Sequence, residues 1–106
     1  MAEVVQIVTT TDGKDLAERI GRTLVDGRLA ACVQIIGPIT SIYRWEGKTE
    51  MAEEWQCWIK TTSDRYAAVE HAIRQIHTYS VPEILAVPVV AGNPAYLKWL
   101  EEHVAG

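Results

Sequence analysis

The sequence predicts an α+β domain of the ferredoxin-like, split βαβ type: a βαββαβ core plus a C-terminal helix, built on an antiparallel sheet. Three observations predict it. The hydrophobic periodicity switches in the order strand, helix, strand, strand, helix, strand, helix. The two middle strands form one long hairpin, Ala30 to Thr62, turning at Glu46-Gly47. The return arm carries tryptophans on both faces, Trp55 on one and Trp58 on the other, so neither face of the sheet is simply solvated.

The elements follow in order. Glu3 to Thr9 is nearly continuous in apolar residues, which reads as a central strand. Thr10-Thr11-Asp12-Gly13 breaks it, and Asp12 is the expected N-cap of the next element. From Asp12 to Asp26, Leu16, Ile20 and Leu24 recur at four-residue spacing with Ala17 and Val25 alongside, one apolar stripe on an amphipathic helix. Gly27 is its expected stop. The first hairpin arm, Ala30 to Trp45, and the second, Lys48 to Thr62, are rich in β-branched and aromatic residues. Each arm is about fifteen residues, against a usual strand of roughly 5–6. Gly37-Pro38 is expected to bend the first arm, because proline cannot donate to the ladder. Strands of that length outrun the cover a domain this size can supply, which points to pairing with further copies of the chain.

Thr62-Ser63-Asp64 opens a second helix whose buried stripe is Tyr66, Val69, Ile73 and Ile76. His77-Thr78-Tyr79-Ser80-Val81-Pro82 ends it, since the residue before a proline is pushed toward extended geometry. Ile84 to Val90 reads as a strand that Pro88 confines to an edge or a bulge. Asn93 caps the last helix and Pro94 takes its first position, with Tyr96, Leu97, Leu100 and Val104 on its apolar side. Both earlier helices are expected on one face of the sheet, leaving the other bare unless subunits pack there.

Composition bounds the function. The 106 residues read as a single domain, 1–106, and 48% are apolar, which excludes disorder. Ten basic against fourteen acidic residues leave a net charge of −4, against a nucleic-acid binder. The apolar run Ile84 to Ala91 falls far short of the ~20 residues of a membrane span. Met1-Ala2-Glu3 leads straight into strand-like sequence, so no signal peptide is expected. Cys32 and Cys57 do not read as a disulfide framework, and the expected location is cytoplasmic.

Function has to come from sites, because this fold hosts phosphatases, metallochaperones, RNA-binding modules and regulatory subunits. An RNA-binding version needs basic residues and a specific aromatic strand motif, absent here. A soft-metal chaperone needs a paired-thiol loop, but Thr9-Thr10-Thr11-Asp12-Gly13 has no cysteine. A small phosphatase wants an arginine in a glycine-rich anion loop, and this loop holds only Gly13. A metal-dependent hydrolase needs clustered ligands, whereas Glu46, Glu50, Glu53 and Glu54 read as a solvated turn.

Three segments carry a resemblance. They are Arg28 to Val33 continuing to Ser41-Ile42-Tyr43-Arg44-Trp45-Glu46-Gly47-Lys48, then His77 to Ile84, then Gly92 to Leu100. Together they resemble the CutA family of divalent-cation tolerance proteins over nearly the whole chain. The resemblance implies a homotrimer similar in architecture to the PII signalling proteins, a link to copper and other divalent cations, and no enzymatic activity. Thr78 stands where family members usually have proline. Where some bacterial members carry a cysteine and two histidines proposed to bind copper, this chain has Val8, Ile76 and His77.

Two sets of candidate residues follow. His77 and Cys32 are candidate ligands for copper or another divalent cation. Against that, His77 also reads as a cap at a helix C-terminus and Cys32 as a small buried hydrophobe. Tyr43, Trp45, Lys60, Tyr79, Glu83 and Trp99 form the second set. The resemblance implies that they line a cleft between subunits, with Lys60 facing an anion or pairing with Glu83. The alternative is a structural salt bridge with aromatic packing at a subunit joint. The function expected is divalent-cation binding or tolerance without catalysis. The other reading is a PII-like regulatory trimer that binds a small anionic ligand or a protein partner.

Overall fold

A computed structural model of the chain describes residues 3–104; Met1, Ala2, Ala105 and Gly106 of the expected domain lie outside the described residues, as does the start of the leader expectation. The elements are β1 (Val4–Thr11), α1 (Lys14–Asp26), β2 (Cys32–Trp45), β3 (Lys48–Thr62), a 3-10 turn (Ser63–Arg65), α2 (Tyr66–Ile76), β4 (Ile84–Pro88) and α3 (Pro94–Val104). The sheet order is β2-β3-β1-β4, and every pairing is antiparallel. This is the split βαβ arrangement, with β1 and β3 central.

Alternation along the strands sorts the residues into two layers. On one face Val5, Ile7, Cys57 and Ile59 pack under Ala17, Ile20 and Leu24 of α1 and Val69 and Ile73 of α2. Ile7, Cys57, Ile59, Ile20 and Ile73 are fully buried there. The opposite face carries Val4, Gln6 and Val8 of β1 beside Thr62, Lys60 and Trp58 of β3. The sequence predicts that second face to be bare unless subunits pack there. Instead α3 folds across one end of it, where Leu100 and Val104 bury Val4 together with Ala31, Val89 and Leu97.

Several boundaries differ from the expected ones. β1 continues through Thr10 and Thr11, which pair with Gln56 and Trp55. The polar look of the threonines conceals their β-branched suitability for a strand. Asp12 does not cap α1: Gly13 holds the N-cap position without a side-chain bond, while Thr11 Oγ1 donates to the Gly13 carbonyl at 2.7 Å. Val25 is 40% exposed and stands off the buried stripe. Gly27 follows α1 as expected but at φ −81; the left-handed position falls one residue later, at Arg28 (φ 58). β4 stops at Pro88, two residues earlier than expected, on an edge whose proline needs no donor. Asn93 caps α3 as expected, its Oδ1 accepting from the Ala95 amide at 2.9 Å.

The hairpin closes at Glu46 (φ 49) and Gly47 (φ 80), the left-handed pair that a two-residue hairpin turn requires. Its register shifts between Ile36 and Ile39, where the cis Gly37-Pro38 peptide interrupts the ladder. Gly37 is needed there: a Cβ would fall 2.5 Å from Trp55 Cδ1. Beyond this bulge the hairpin projects from the body. The molecule is 45 Å along its longest axis, with a radius of gyration of 14.3 Å; a compact chain of about 100 residues has roughly 13 Å. No helix among the described residues is long and apolar enough to cross a membrane.

Candidate functional site

The site forms where the projecting hairpin passes the loop that follows α2. His77 ends α2, its amide still bonded to the Ile73 carbonyl at 2.8 Å. Its ring then fixes the loop. Nδ1 accepts from the Tyr79 amide at 3.0 Å, so the ring proton sits on Nε2, which donates to the Thr10 carbonyl at 2.8 Å. One imidazole thereby ties the end of β1 to the 77–79 loop. The consequence is the aim of Tyr79, whose hydroxyl donates to Glu54 Oε2 at 2.8 Å.

Glu54 was read in the sequence as part of a solvated acidic turn. It is instead 7% exposed. It lies opposite Ile39, immediately past the bulge, on the same face as Gln56 and Trp58 by strand alternation. Glu54 makes no ion pair among the described residues; the neutral phenol of Tyr79 is its hydrogen-bond partner. Burial raises the Tyr79 phenol above its ordinary range, and its bond to Glu54 and the negative charges of Glu54 and Asp12 act the same way. Tyr79 therefore remains a donor throughout the physiological range.

Around this pair opens a cleft of about 520 Å³. Tyr43 and Trp45 of the hairpin tip line it together with Tyr79, Ser80 and Val81 of the loop after α2. Ser41, Thr10 and Glu54 also line it, as does Glu83 next to β4. The pairing of Ile84 with Thr9 brings that loop to this end of the sheet. Four of the six predicted cleft residues are thus together: Tyr43, Trp45, Tyr79 and Glu83.

Lys60 and Trp99 are not with them. Lys60 lies at the other end of β3, where its Nζ donates to Gln34 Oε1 at 2.6 Å, and no Lys60–Glu83 ion pair forms among the described residues. Trp99 stands on α3 between Tyr96 and His103, with ring centroids 5.5 and 4.7 Å away. The six share an amphipathic character, but within one chain Lys60 sits at another level of β3 and Trp99 on α3.

The two predicted metal ligands are also apart. Cys32 pairs with Lys60, which faces Gln6, whereas His77 is bound at Thr10. Four residues of strand at ~3.3 Å each separate those levels. Both ring nitrogens of His77 already have partners within the chain. Cys32 instead neighbours Tyr96, whose phenol is raised by burial and then by that thiol. No group of three or more His, Cys, Asp or Glu side chains is disposed to hold a metal ion among the described residues.

Glu54 is the site residue that sequence reasoning missed. The available signal was strand alternation: Glu54 shares a face with Trp58, which had been read as covered.

Comparison with known proteins gives a consistent result. Residues 5–103 match the family model for the CutA1 divalent ion tolerance protein. The divalent-cation tolerance protein CutA of Thermus thermophilus is 42% identical over 103 residues, covering 97% of this chain and 98% of that protein. Protein CutA of Mus musculus is 44% identical over 93 residues, 88% of this chain but only 52% of its own length. The solved structure of the periplasmic divalent cation tolerance protein CutA from Archaeoglobus fulgidus superposes with a TM-score of 0.94 at 38% identity, over 96% of this chain and 99% of that one.

Proposed function

The chain belongs to the CutA1 divalent ion tolerance family, and on that premise we propose that it is a trimeric, non-catalytic protein that binds or responds to a divalent cation, copper being the first to test. The observation that carries this reading is the extent of the family match, which runs through nearly the whole chain.

The surface supports assembly. Leu85 and Val87 are 59% and 51% exposed on β4, on the face that also carries Val8 and Trp58. A second copy covering that face would bury an apolar patch that monomers rarely leave open. The reading places metal ligands at subunit boundaries, where copies of Cys32 or His77 from different subunits converge. Ligation by His77 there requires it to release the Tyr79 amide or the Thr10 carbonyl. The two free cysteines support a cytoplasmic location.

The test is a calorimetric titration of copper(II) into metal-free protein, beside His77→Ala and Cys32→Ser, with the assembly state read by sedimentation. Tight binding at one site or fewer per subunit, lost in either variant, is the expected result. Weak binding that both variants retain would leave only incidental surface sites and overturn metal binding.

A second reading is favoured by the cleft itself. A PII-like regulatory trimer holds a small ligand between subunits, and here three aromatic rings and two carboxylates converge next to a projecting arm. Within one chain Lys60 lies away from the cleft, so an anionic ligand there would depend on a neighbouring subunit for its counter-charge.

A further inference from the structure

We propose that the cleft between the hairpin tip and the 79–83 loop is a binding site for a small organic ammonium ion. The inference rests on the cleft of the second reading and supplies its ligand chemistry.

Charge comes first. The charged side chains lining the cleft among the described residues are Glu54 and Glu83; neither lysine, arginine nor histidine is among them. An anionic ligand would enter against two carboxylates. A buried carboxylate is stable when a cation or several donors meet it. Glu54 is 7% exposed, has one phenol donor and forms no ion pair among the described residues. A cation entering the cleft supplies the charge that this carboxylate lacks.

The aromatic rings then select the kind of cation. Tyr43, Trp45 and Tyr79 line the same space. Electron-rich ring faces attract ammonium groups within about 6 Å, and tryptophan does so best. A hard divalent ion uses oxygen ligands and makes no use of ring faces, and no group of three or more candidate ligands forms here among the described residues. The hydroxyls of Ser41 and Ser80 and the two carboxylates are acceptors suited to an N–H-bearing ammonium, while Val81 offers an apolar surface to a short alkyl chain. The volume, about 520 Å³, lies within the usual range for small-molecule sites.

The experiment uses the whole 106-residue chain in its native assembly and three probes that share one alkyl chain. These are n-butylammonium chloride, sodium butyrate and n-butanol, titrated at constant ionic strength and followed by tryptophan fluorescence and calorimetry. The expected result is that butylammonium binds at least about tenfold more tightly than either other probe, and that Trp45→Leu and Glu83→Gln each weaken it about fivefold. Both substitutions fall at exposed positions, and circular dichroism checks that they fold; Glu54→Gln is a third variant with the same expected direction. Butylammonium binding that neither exposed variant weakens would overturn the proposal. Butyrate binding that is lost in Trp45→Leu would overturn the ammonium assignment while keeping the cleft as a ligand site. No binding by any probe would overturn the ammonium assignment, whereas the copper titration reads divalent-cation tolerance independently.

Discussion

The base and the tip of the hairpin are made from the same two strands and the same kinds of residue, yet they have opposite fates. At the base, Val33 pairs with Ile59 and Ile35 with Cys57, and both β3 partners are fully buried under α1 and α2. At the tip, Ile42 pairs with Met51, and they are 66% and 70% exposed. Residue type does not explain this, because each pair is apolar. The difference is length: the helices cover the strands only as far as the bulge at Gly37-Pro38. The base is therefore a folding element. The tip is a surface that the fold sustains through ladder bonds and leaves open beside the cleft.

Substitutions can break or sharpen that contrast. The largest effect is expected at the base, where Ile59→Ala empties fully buried space and should cost about 3–4 kcal/mol in denaturant unfolding at fixed protomer concentration. Alkaline pH should produce the next. Burial pushes the Cys57 thiol up from 9.0 to about 11, and the thiol faces the Ala17 carbonyl. A pKa raised in the folded state favours the protonated native form. Its contribution is therefore fully present below pH 9 and lost as pH rises through about 11, roughly 2–3 kcal/mol by linkage. Melting curves across that range should fall for the parent, and Cys57→Ala should flatten the decline.

At the boundary, Gly37→Ala forces a Cβ against Trp55 and should cost about 2 kcal/mol. In the tip turn, Gly47→Ala has free space but keeps a positive φ, so about 1 kcal/mol is expected. Smallest for the fold is Ile42→Ser, within about 0.5 kcal/mol for the single chain. For the proposed trimer, light scattering of Ile42→Ser should show a shift to smaller species. A destabilisation of Ile42→Ser as large as that of Ile59→Ala would erase the distinction between base and tip.

The fold was legible because periodicity and punctuation agreed. The four-residue stripe of Leu16, Ile20 and Leu24, the Asn93-Pro94 helix start and the long hairpin each pointed to a single element. What stayed hidden depended on pairing across the chain. Thr10 and Thr11 look like a loop until β3 is seen beside them. Asp12 looks like a cap until Gly13 occupies the position. In the site, Tyr43, Trp45, Tyr79 and Glu83 were recognisable by type and segment, and they do line one cleft. Lys60 and Trp99 had the same character, but Lys60 sits at another level of β3 and Trp99 on α3, which no local pattern records. Glu54 was hidden by its company: three neighbouring glutamates stand in water, and only the strand register places this one beneath Tyr79.

The register shift at Gly37-Pro38 also has a mechanical side. The arm beyond it, from Ile39 to Trp45, runs seven residues, or about 23 Å at ~3.3 Å per residue. A lever of that length converts a rotation of about 5° at the bulge into a displacement of about 2 Å at Trp45. The loop bearing Tyr79 is fastened to β1 by His77 and meets the arm at Glu54, close to the bulge, through the Tyr79 hydroxyl. A change in the angle of the arm would therefore alter the distance from Trp45 to Tyr79 more than that from Glu54 to Tyr79.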